Sequence, residues 1–194
     1  VLAAASDVVV VETTGVGQSE IDIVHGADTV VLVIQPGSGD VLQFLKAGIM
    51  EIPDILVVNK ADHEELARRA VADLRGAIRT AHAAGATSDQ DAGWETPIVA
   101  TSATKGTGVD ALIDALDEHR AHLDAGLPAR RRQGEVHWAL DLIARKHGEH
   151  GVTTLGGSGP LRARAKRELD DGDTPLSLCE RLSQEYVTTL RQTS

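Results

Sequence analysis

The stretch Asp54-Ile55-Leu56-Val57-Val58-Asn59-Lys60-Ala61-Asp62 decides the fold, because in it a short apolar run passes directly into a polar loop. Continuous runs of β-branched and aliphatic residues are typical of strands buried on both faces, as in a parallel sheet. Similar runs occupy residues 7–11, 29–34 and 97–101. We therefore predict strands at all four places, in a mostly parallel sheet.

Helical patterns separate these runs. Apolar residues recur every four positions within residues 64–84, and a second apolar face lies within residues 109–123. Strands that alternate with helices predict a doubly wound α/β fold. Ligands of such sheets bind beyond the carboxyl ends of the strands. The candidate site therefore comprises the loops at residues 12–20, 35–40, 59–62 and 102–108.

The pattern changes after residue 127, where no further strand is predicted. Residues 135–147 have helical periodicity, the glycine-rich residues 151–160 predict a flexible joint, and two more helices are predicted at 161–169 and 176–190. Thr174 is the expected cap of the last helix, with Pro175 at its first position. We predict an α/β part at residues 1–127 and a helical extension at residues 128–194.

Composition excludes several classes of function. The chain has 29 acidic and 19 basic residues and a net charge of -10, which disfavours binding to nucleic acid or to an anionic membrane. Its apolar runs are shorter than the roughly 20 residues of a membrane-spanning helix. The single cysteine, Cys179, cannot form an internal disulfide and favours a reducing compartment, by default the cytosol.

The loop Asn59-Lys60-Ala61-Asp62 has the chemistry to recognise guanine. The carboxylate of Asp62 can accept hydrogen bonds from the ring N–H and the exocyclic amine of guanine, whereas adenine presents the wrong pattern and leaves the carboxylate unpaired. Asn59 would tie the loop together, and the stem of Lys60 would lie over the base. The alternative is a strand followed by a helix that Asp62 caps.

A second guanine signal is Thr101-Ser102-Ala103, which also comes directly after a strand-like run. The backbone N–H of Ala103 can reach the carbonyl oxygen of guanine. Turns rich in Ser, Thr and Gly are common, so this signal alone is weak. Together with the first loop, from which one helix and one strand separate it, it favours a guanine site.

The third signal is Glu12-Thr13-Thr14-Gly15. A carboxylate at a strand end can hold Mg²⁺ through water, and the backbone of Gly15 can approach a terminal phosphate. Val16 cannot orient water, so we predict slow hydrolysis with Gln18 or a group from a partner completing the site. The alternative is an ordinary glycine-bearing turn between a strand and a helix.

In this order the three motifs resemble those of the P-loop GTPases. The methylmalonyl-CoA mutase-associated GTPase family (MeaB/ArgK), in the metallochaperone branch, is similar at E-T-T-G-V-G-Q-S-E (12–20), Q-P-G-S-G-D (35–40), G-I-M-E (48–51), N-K-A-D (59–62) and G-D-T-P (172–175). The resemblance implies guanine-binding roles for Asn59, Lys60, Asp62, Ser102, Ala103 and Thr104. It places Glu12 and Gly15 at Mg²⁺ and the terminal phosphate.

The same resemblance implies a GTPase with GTP or GDP and Mg²⁺ as cofactors. It also implies a homodimer built with the helical extension, a mutase partner, and a role in loading or protecting adenosylcobalamin. Asp40 and Lys46 are predicted to exchange partners between nucleotide states, the alternative being an ordinary loop with a surface lysine.

One motif of that family is missing. The sequence contains no Gly-Lys dipeptide and therefore no phosphate-binding P-loop. We expect truncation to be the cause and this chain alone to hydrolyse GTP poorly. Two alternatives remain: a non-catalytic module for dimerisation or mutase docking, and a nickel or zinc metallochaperone GTPase.

Histidines and tryptophans outside these loops are given structural roles. His119 with His122, and His147 with His150, are predicted to lie on solvated helix faces rather than to bind a metal. Trp94 and Trp138 are either interface anchors or core residues.

Overall fold

The computed structural model describes residues 5–13, 25–37, 53–83 and 93–193. The chain divides into two compact units. One comprises Thr29–Ala125, and the other comprises Val1–Asp28 together with Gly126–Ser194.

A parallel sheet lies at the centre of the unit Thr29–Ala125. Its strands are β1 (Val31–Ile34), β2 (Ile55–Val58) and β3 (Ile98–Ala100), in the spatial order β1-β2-β3. Both pairings are parallel, with Ile34 opposite Val58 and Val58 opposite Ala100. Every residue of β2 is buried, which explains the unbroken apolar run in this central strand.

Two helices cover opposite faces of the sheet. Helix α1 (Glu64–Ala83) places Ala67, Ala70 and Leu74 against Leu56 and Val58. Helix α2 (Val109–Leu123) places Ala115 against the other set of β2 side chains, Ile55 and Val57. Successive side chains of a strand point to opposite faces, so the arrangement is the predicted doubly wound α/β fold.

The predicted strand at residues 7–11 is wrong. Residues 8–13 form no strand, and Val8 and Val10 are 73% and 86% exposed. Within the described ranges, no strand pairs with this segment. β-Branched residues favour a strand only where a neighbouring backbone completes the hydrogen bonds and a second layer covers the side chains.

In the described part of the other unit, three helices surround one core. They are α3 (Leu127–Thr154), α4 (Ser158–Asp170) and α5 (Pro175–Thr193). Their shared core comprises mainly aliphatic residues: Val136, Ala139, Ile143, Leu155, Leu161, Ala165, Leu169, Leu178, Cys179 and Leu182. The thiol of Cys179 is free and buried. Among the helices of the described chain, none combines the length and apolarity needed to cross a membrane.

The predicted flexible joint at residues 151–160 is also wrong. Helix α3 is kinked at Gly148, where φ is 67° and ψ is -171°, its second segment continues to Thr154, and α4 already begins at Ser158. Gly156 and Gly157 reverse the chain with φ values of 104° and 88°, a conformation that glycine adopts readily. Leu155 is buried in the shared core, so the connection is a short anchored turn.

The predicted start of the last helix is confirmed. Helix α5 begins at Pro175, and the backbone N–H of Ser177 donates to Oγ1 of Thr174 at 3.2 Å. This bond satisfies one of the N–H groups that the first turn of a helix leaves without a partner.

Candidate nucleotide-binding site

The loops after β2 and β3 lie side by side at the carboxyl edge of the sheet. Because these strands are parallel neighbours, Asn59–Asp62 and Thr101–Gly108 leave the sheet at the same edge. The backbone N–H of Ala61 donates to the carbonyl oxygen of Thr101 at 2.9 Å. The two predicted guanine-binding loops therefore form one continuous surface.

Asp62 is held by the buried hydroxyl of Ser102. Oγ of Ser102 donates to Oδ1 of Asp62 at 2.8 Å, while the side chain of Asp62 stays 25% exposed. The Ser102 hydrogen bond, followed by one from the backbone N–H of Asp62 itself, lowers the pKa of this carboxyl below its usual 3.8. Asp62 is therefore an ionised, partly exposed acceptor at neutral pH.

Asn59 connects the two loops. Its Oδ1 accepts from the N–H of Ala103 at 3.2 Å and from Oγ1 of Thr101 at 3.4 Å. Oγ1 of Thr104 lies 3.2 Å from Oγ of Ser102. The residues predicted to recognise guanine in these two loops are thus brought together, although here the N–H of Ala103 donates to Asn59.

Lys60 adopts an unusual backbone conformation. Its φ of 57° is the one positive value among the non-glycine residues that the structure describes. Its Nζ donates to Oε1 of Gln35 at 2.8 Å. No role was predicted for Gln35, although it follows β1 directly and lies in one of the candidate loops.

The loop after β3 closes tightly at Gly108. The N–H of Ser102 donates to the carbonyl oxygen of Thr107 at 2.9 Å, which folds the loop back on itself. Gly108 has a φ of 75°, and a Cβ there would lie 2.1 Å from the carbonyl oxygen of Ala100. Only glycine fits this position without a shift of the backbone.

The predicted phosphate and Mg²⁺ residues are not all described. Glu12 is exposed and belongs to the unit that contains the three helices, not to Thr29–Ala125. Gly15, Gln18, Asp40 and Lys46 lie outside the described residues. No three His, Cys, Asp or Glu residues of the described chain are grouped so as to hold a metal ion. The roles predicted for Glu12, Gly15, Gln18, Asp40 and Lys46 therefore stay predictions.

His119 does not lie on a solvated helix face, and that prediction is wrong. Its side chain is 0% exposed, with Nδ1 at 2.9 Å from Oγ1 of Thr29 and Nε2 at 3.3 Å from Oδ1 of Asp54. Nε1 of Trp94 donates to the carbonyl oxygen of Asp54 at 2.8 Å. Thr29 and Asp54 precede β1 and β2, so this buried cluster lies at the edge of the sheet opposite the candidate site.

Comparison with known proteins identifies the family. Residues 1–153 match the model of the family described as methylmalonyl Co-A mutase-associated GTPase MeaB. The chain belongs to the MeaB family. MeaB proteins form a GTPase family, and the matched residues include the four loops that the sequence predicts as the candidate site.

Relatives of known sequence agree with this assignment to MeaB. A probable GTPase of Mycobacterium tuberculosis is 40% identical over 145 residues, which are 73% of this chain and 41% of the relative. GTPase ArgK of Escherichia coli is 34% identical over 139 residues, 70% of this chain and 40% of ArgK. The mitochondrial methylmalonic aciduria type A homolog of Mus musculus is 31% identical over 148 residues, 74% and 34% of the two chains.

A solved structure confirms the fold of this MeaB chain. The crystal structure of LAO/AO transport system kinase superposes with a TM-score of 0.56 at 24% identity, covering 87% of this chain and 59% of that one. The predicted α/β fold with its parallel sheet is therefore confirmed. The chain spans about two fifths of the length of the M. tuberculosis and E. coli relatives.

Proposed function

We propose that this chain supplies the guanine-binding part of a GTPase that assists an adenosylcobalamin-dependent mutase, in loading or protecting the cobalamin. The observation that carries the guanine assignment is the 2.8 Å bond from Ser102 to Asp62. It fixes an ionised carboxylate where two strands end, and such a carboxylate pairs with the two N–H donors of guanine. Adenine presents no such pair of donors and would leave the carboxylate without a partner on the base.

We also propose that the protein binds Mg²⁺ and hydrolyses GTP. The exposed carboxylate of Glu12 is compatible with holding Mg²⁺ through water. Gly15 would place a backbone N–H at the terminal phosphate, and Gln18 or a group from the partner would orient the attacking water. Mg²⁺ would supply charge stabilisation at the phosphates. GTP would be converted to GDP and phosphate.

The guanine assignment is tested by exchanging the acceptor at Asp62. In the full-length gene product, GDP is expected to bind at least about 100-fold more tightly than ADP. Asp62→Asn replaces one acceptor oxygen by an N–H donor, which matches xanthine, whose carbonyl stands where guanine has its amine. The variant is expected to lose about 100-fold in GDP affinity and to gain affinity for xanthosine diphosphate, measured by calorimetry.

The matched control is Asp73→Asn, the same exchange at an exposed position of α1. This variant should bind GDP like the wild type. Equal affinities of the wild-type protein for GDP and ADP, or an Asp62→Asn variant with unchanged preference, would overturn the guanine assignment.

Support for the mutase partner comes from names alone. The family is described as mutase-associated, and the mouse relative is named for methylmalonic aciduria. We propose the same partner class for this protein, in the cytosol. The test is GTP turnover by the full-length gene product with and without an adenosylcobalamin-dependent methylmalonyl-CoA mutase. A rate that does not rise on addition of the mutase counts against a partner that completes the site.

We also propose a homodimer that uses the helical extension, residues 128–194. Three large apolar side chains of this segment are exposed and available to a second copy: Trp138, Leu176 and Val187. Burial of such side chains is the main driving force of stable association. A monomer by analytical ultracentrifugation at micromolar concentration would contradict this part of the proposal.

A non-catalytic module is the second candidate function. The specific observation in its favour is that this sequence contains no Gly-Lys dipeptide, and the lysine of that motif holds phosphates in P-loop GTPases. Under this alternative the chain docks on the mutase or dimerises without turnover. Binding to the mutase with no GTP hydrolysis, in the same assay, would favour it.

A further inference from the structure

We propose that Gln35 is a positioning residue, which holds the side chain of Lys60 ready over the guanine base. This inference rests on the proposed function, because it assigns a role within the same site. The contact between Gln35 and Lys60 also connects the loop after β1 to the proposed guanine-binding loop after β2. Gln35 and Lys60 are 25 positions apart in the sequence, so the fold is what brings them into contact.

The first observation is the side-chain contact itself. Nζ of Lys60 donates to Oε1 of Gln35 at 2.8 Å. The two residues meet because β1 and β2 are parallel neighbours, with Ile34 opposite Val58. The N–H of Asn59 donates to the carbonyl oxygen of Ile34 at 2.9 Å, so both loops start from a fixed point.

The second observation is the backbone conformation of Lys60. A φ of 57° is left-handed, a conformation that is unfavourable for a residue with a Cβ. The flanking loop holds this conformation, because the N–H of His63 donates to the carbonyl oxygen of Lys60 at 3.0 Å. Such conformations cluster at binding sites, where the surrounding structure maintains them.

Both ends of the Lys60 side chain are therefore held in place. The backbone sets the direction in which the side chain leaves the loop, and Gln35 fixes the ammonium group at its tip. A free lysine side chain loses rotamer entropy when it is ordered. Because Gln35 orders the stem before the base arrives, less of this cost falls on nucleotide binding.

A double-mutant cycle distinguishes this role from an incidental surface contact. Lys60→Met keeps an unbranched apolar stem but removes the ammonium group that Gln35 holds. In the full-length gene product, Gln35→Ala is expected to weaken GDP binding about fivefold, measured with methylanthraniloyl-GDP. In the Lys60→Met background the same substitution is expected to change the Kd by less than about 1.5-fold, because the two effects are coupled.

Three further measurements sharpen the test. Gln35→Glu keeps an acceptor oxygen and is expected to bind GDP more tightly than Gln35→Ala. Gln133→Ala, at an exposed position of α3, is the matched control and should bind like the wild type. The ratio of GDP to inosine diphosphate affinity should not change in Gln35→Ala, because Asp62 and not Lys60 recognises the exocyclic amine.

The outcomes separate this inference from the function on which it rests. If Gln35→Ala has no effect in the wild type, or has the same effect in both backgrounds, Gln35 does not position Lys60. In that case a wild-type preference for GDP over ADP leaves the guanine assignment intact. A wild-type protein without that preference overturns both.

Discussion

At the residue scale, two glycines of one loop differ in why a side chain would be unfavourable. At one the reason is backbone conformation alone, and at the other it is backbone conformation together with a close contact. Gly106 and Gly108 have similar positive φ values, 69° and 75°. A Cβ at Gly106 would meet no atom within 4 Å, whereas a Cβ at Gly108 would meet the carbonyl oxygen of Ala100 at 2.1 Å. An alanine at position 106 is therefore unfavourable only because of the left-handed backbone conformation. An alanine at position 108 has the same conformation and also clashes with the backbone of Ala100.

We expect Gly106→Ala to lower the free energy of unfolding by about 1 kcal/mol, the cost of a left-handed alanine. Gly108→Ala should lower it by more than about 2 kcal/mol, because the backbone at the end of β3 must move as well. Urea unfolding of both variants gives the comparison. Equal losses would show that the contact with Ala100 is relieved without cost.

At the element scale, a hydrogen bond between His147 and Ser183 joins α3 to α5. Nε2 of His147 lies 2.9 Å from Oγ of Ser183, and the hydroxyl is buried. Burial lowers the pKa of His147 below its usual 6.5, and the charge of Lys146 lowers it further. The helical unit therefore favours the neutral form of this histidine.

This shift makes the stability of the protein depend on pH. Well above pH 6.5, His147 is neutral in both the folded and the unfolded state and contributes no pH dependence. Below that value the unfolded state binds a proton more readily, so the free energy of unfolding falls as the pH decreases towards the folded pKa.

We expect His147→Gln to reduce this loss. Urea unfolding at pH 7.5 and pH 5.5 measures it, because the other titrating groups contribute alike to the wild type and the variant. The difference in free energy of unfolding between the two pH values should be smaller in His147→Gln. The same difference in both proteins would contradict a lowered pKa of His147.

At the scale of the whole molecule, each compact unit has its own core. Leu74 is buried between α1 and the sheet, and Leu182 is buried among the three helices of the other unit. Separate cores are the condition for separate cooperative unfolding.

Calorimetry is expected to show two unfolding transitions, each sensitive to one core. Leu74→Ala should destabilise one transition and Leu182→Ala the other, each by about 2–5 kcal/mol, because each substitution leaves a cavity. If both variants shift a single transition alike, the two units unfold as one.

Most of the local structure, and the position of the two candidate guanine-binding loops after β2 and β3, could be predicted from the amino-acid sequence. The three strands of the sheet were predicted because buried strands require continuous apolar runs, and the start of α5 because Thr174 and Pro175 suit the first turn of a helix. The loop at 59–62 was identified because it follows a buried strand directly. Each of these features depends on residues that are close together in the sequence, so the pattern of residue types is enough to predict it.

Features that depend on residues far apart in the chain could not be predicted from the sequence. Residues 8–11 have the composition of a strand, but their valines are exposed, since a strand also needs a partner backbone. His119 has the spacing of a surface histidine, but it is buried between Thr29 and Asp54. Lys60 meets Gln35 only because two parallel strands bring their ends together. Periodicity within one element carries no information about which distant group will pack against it.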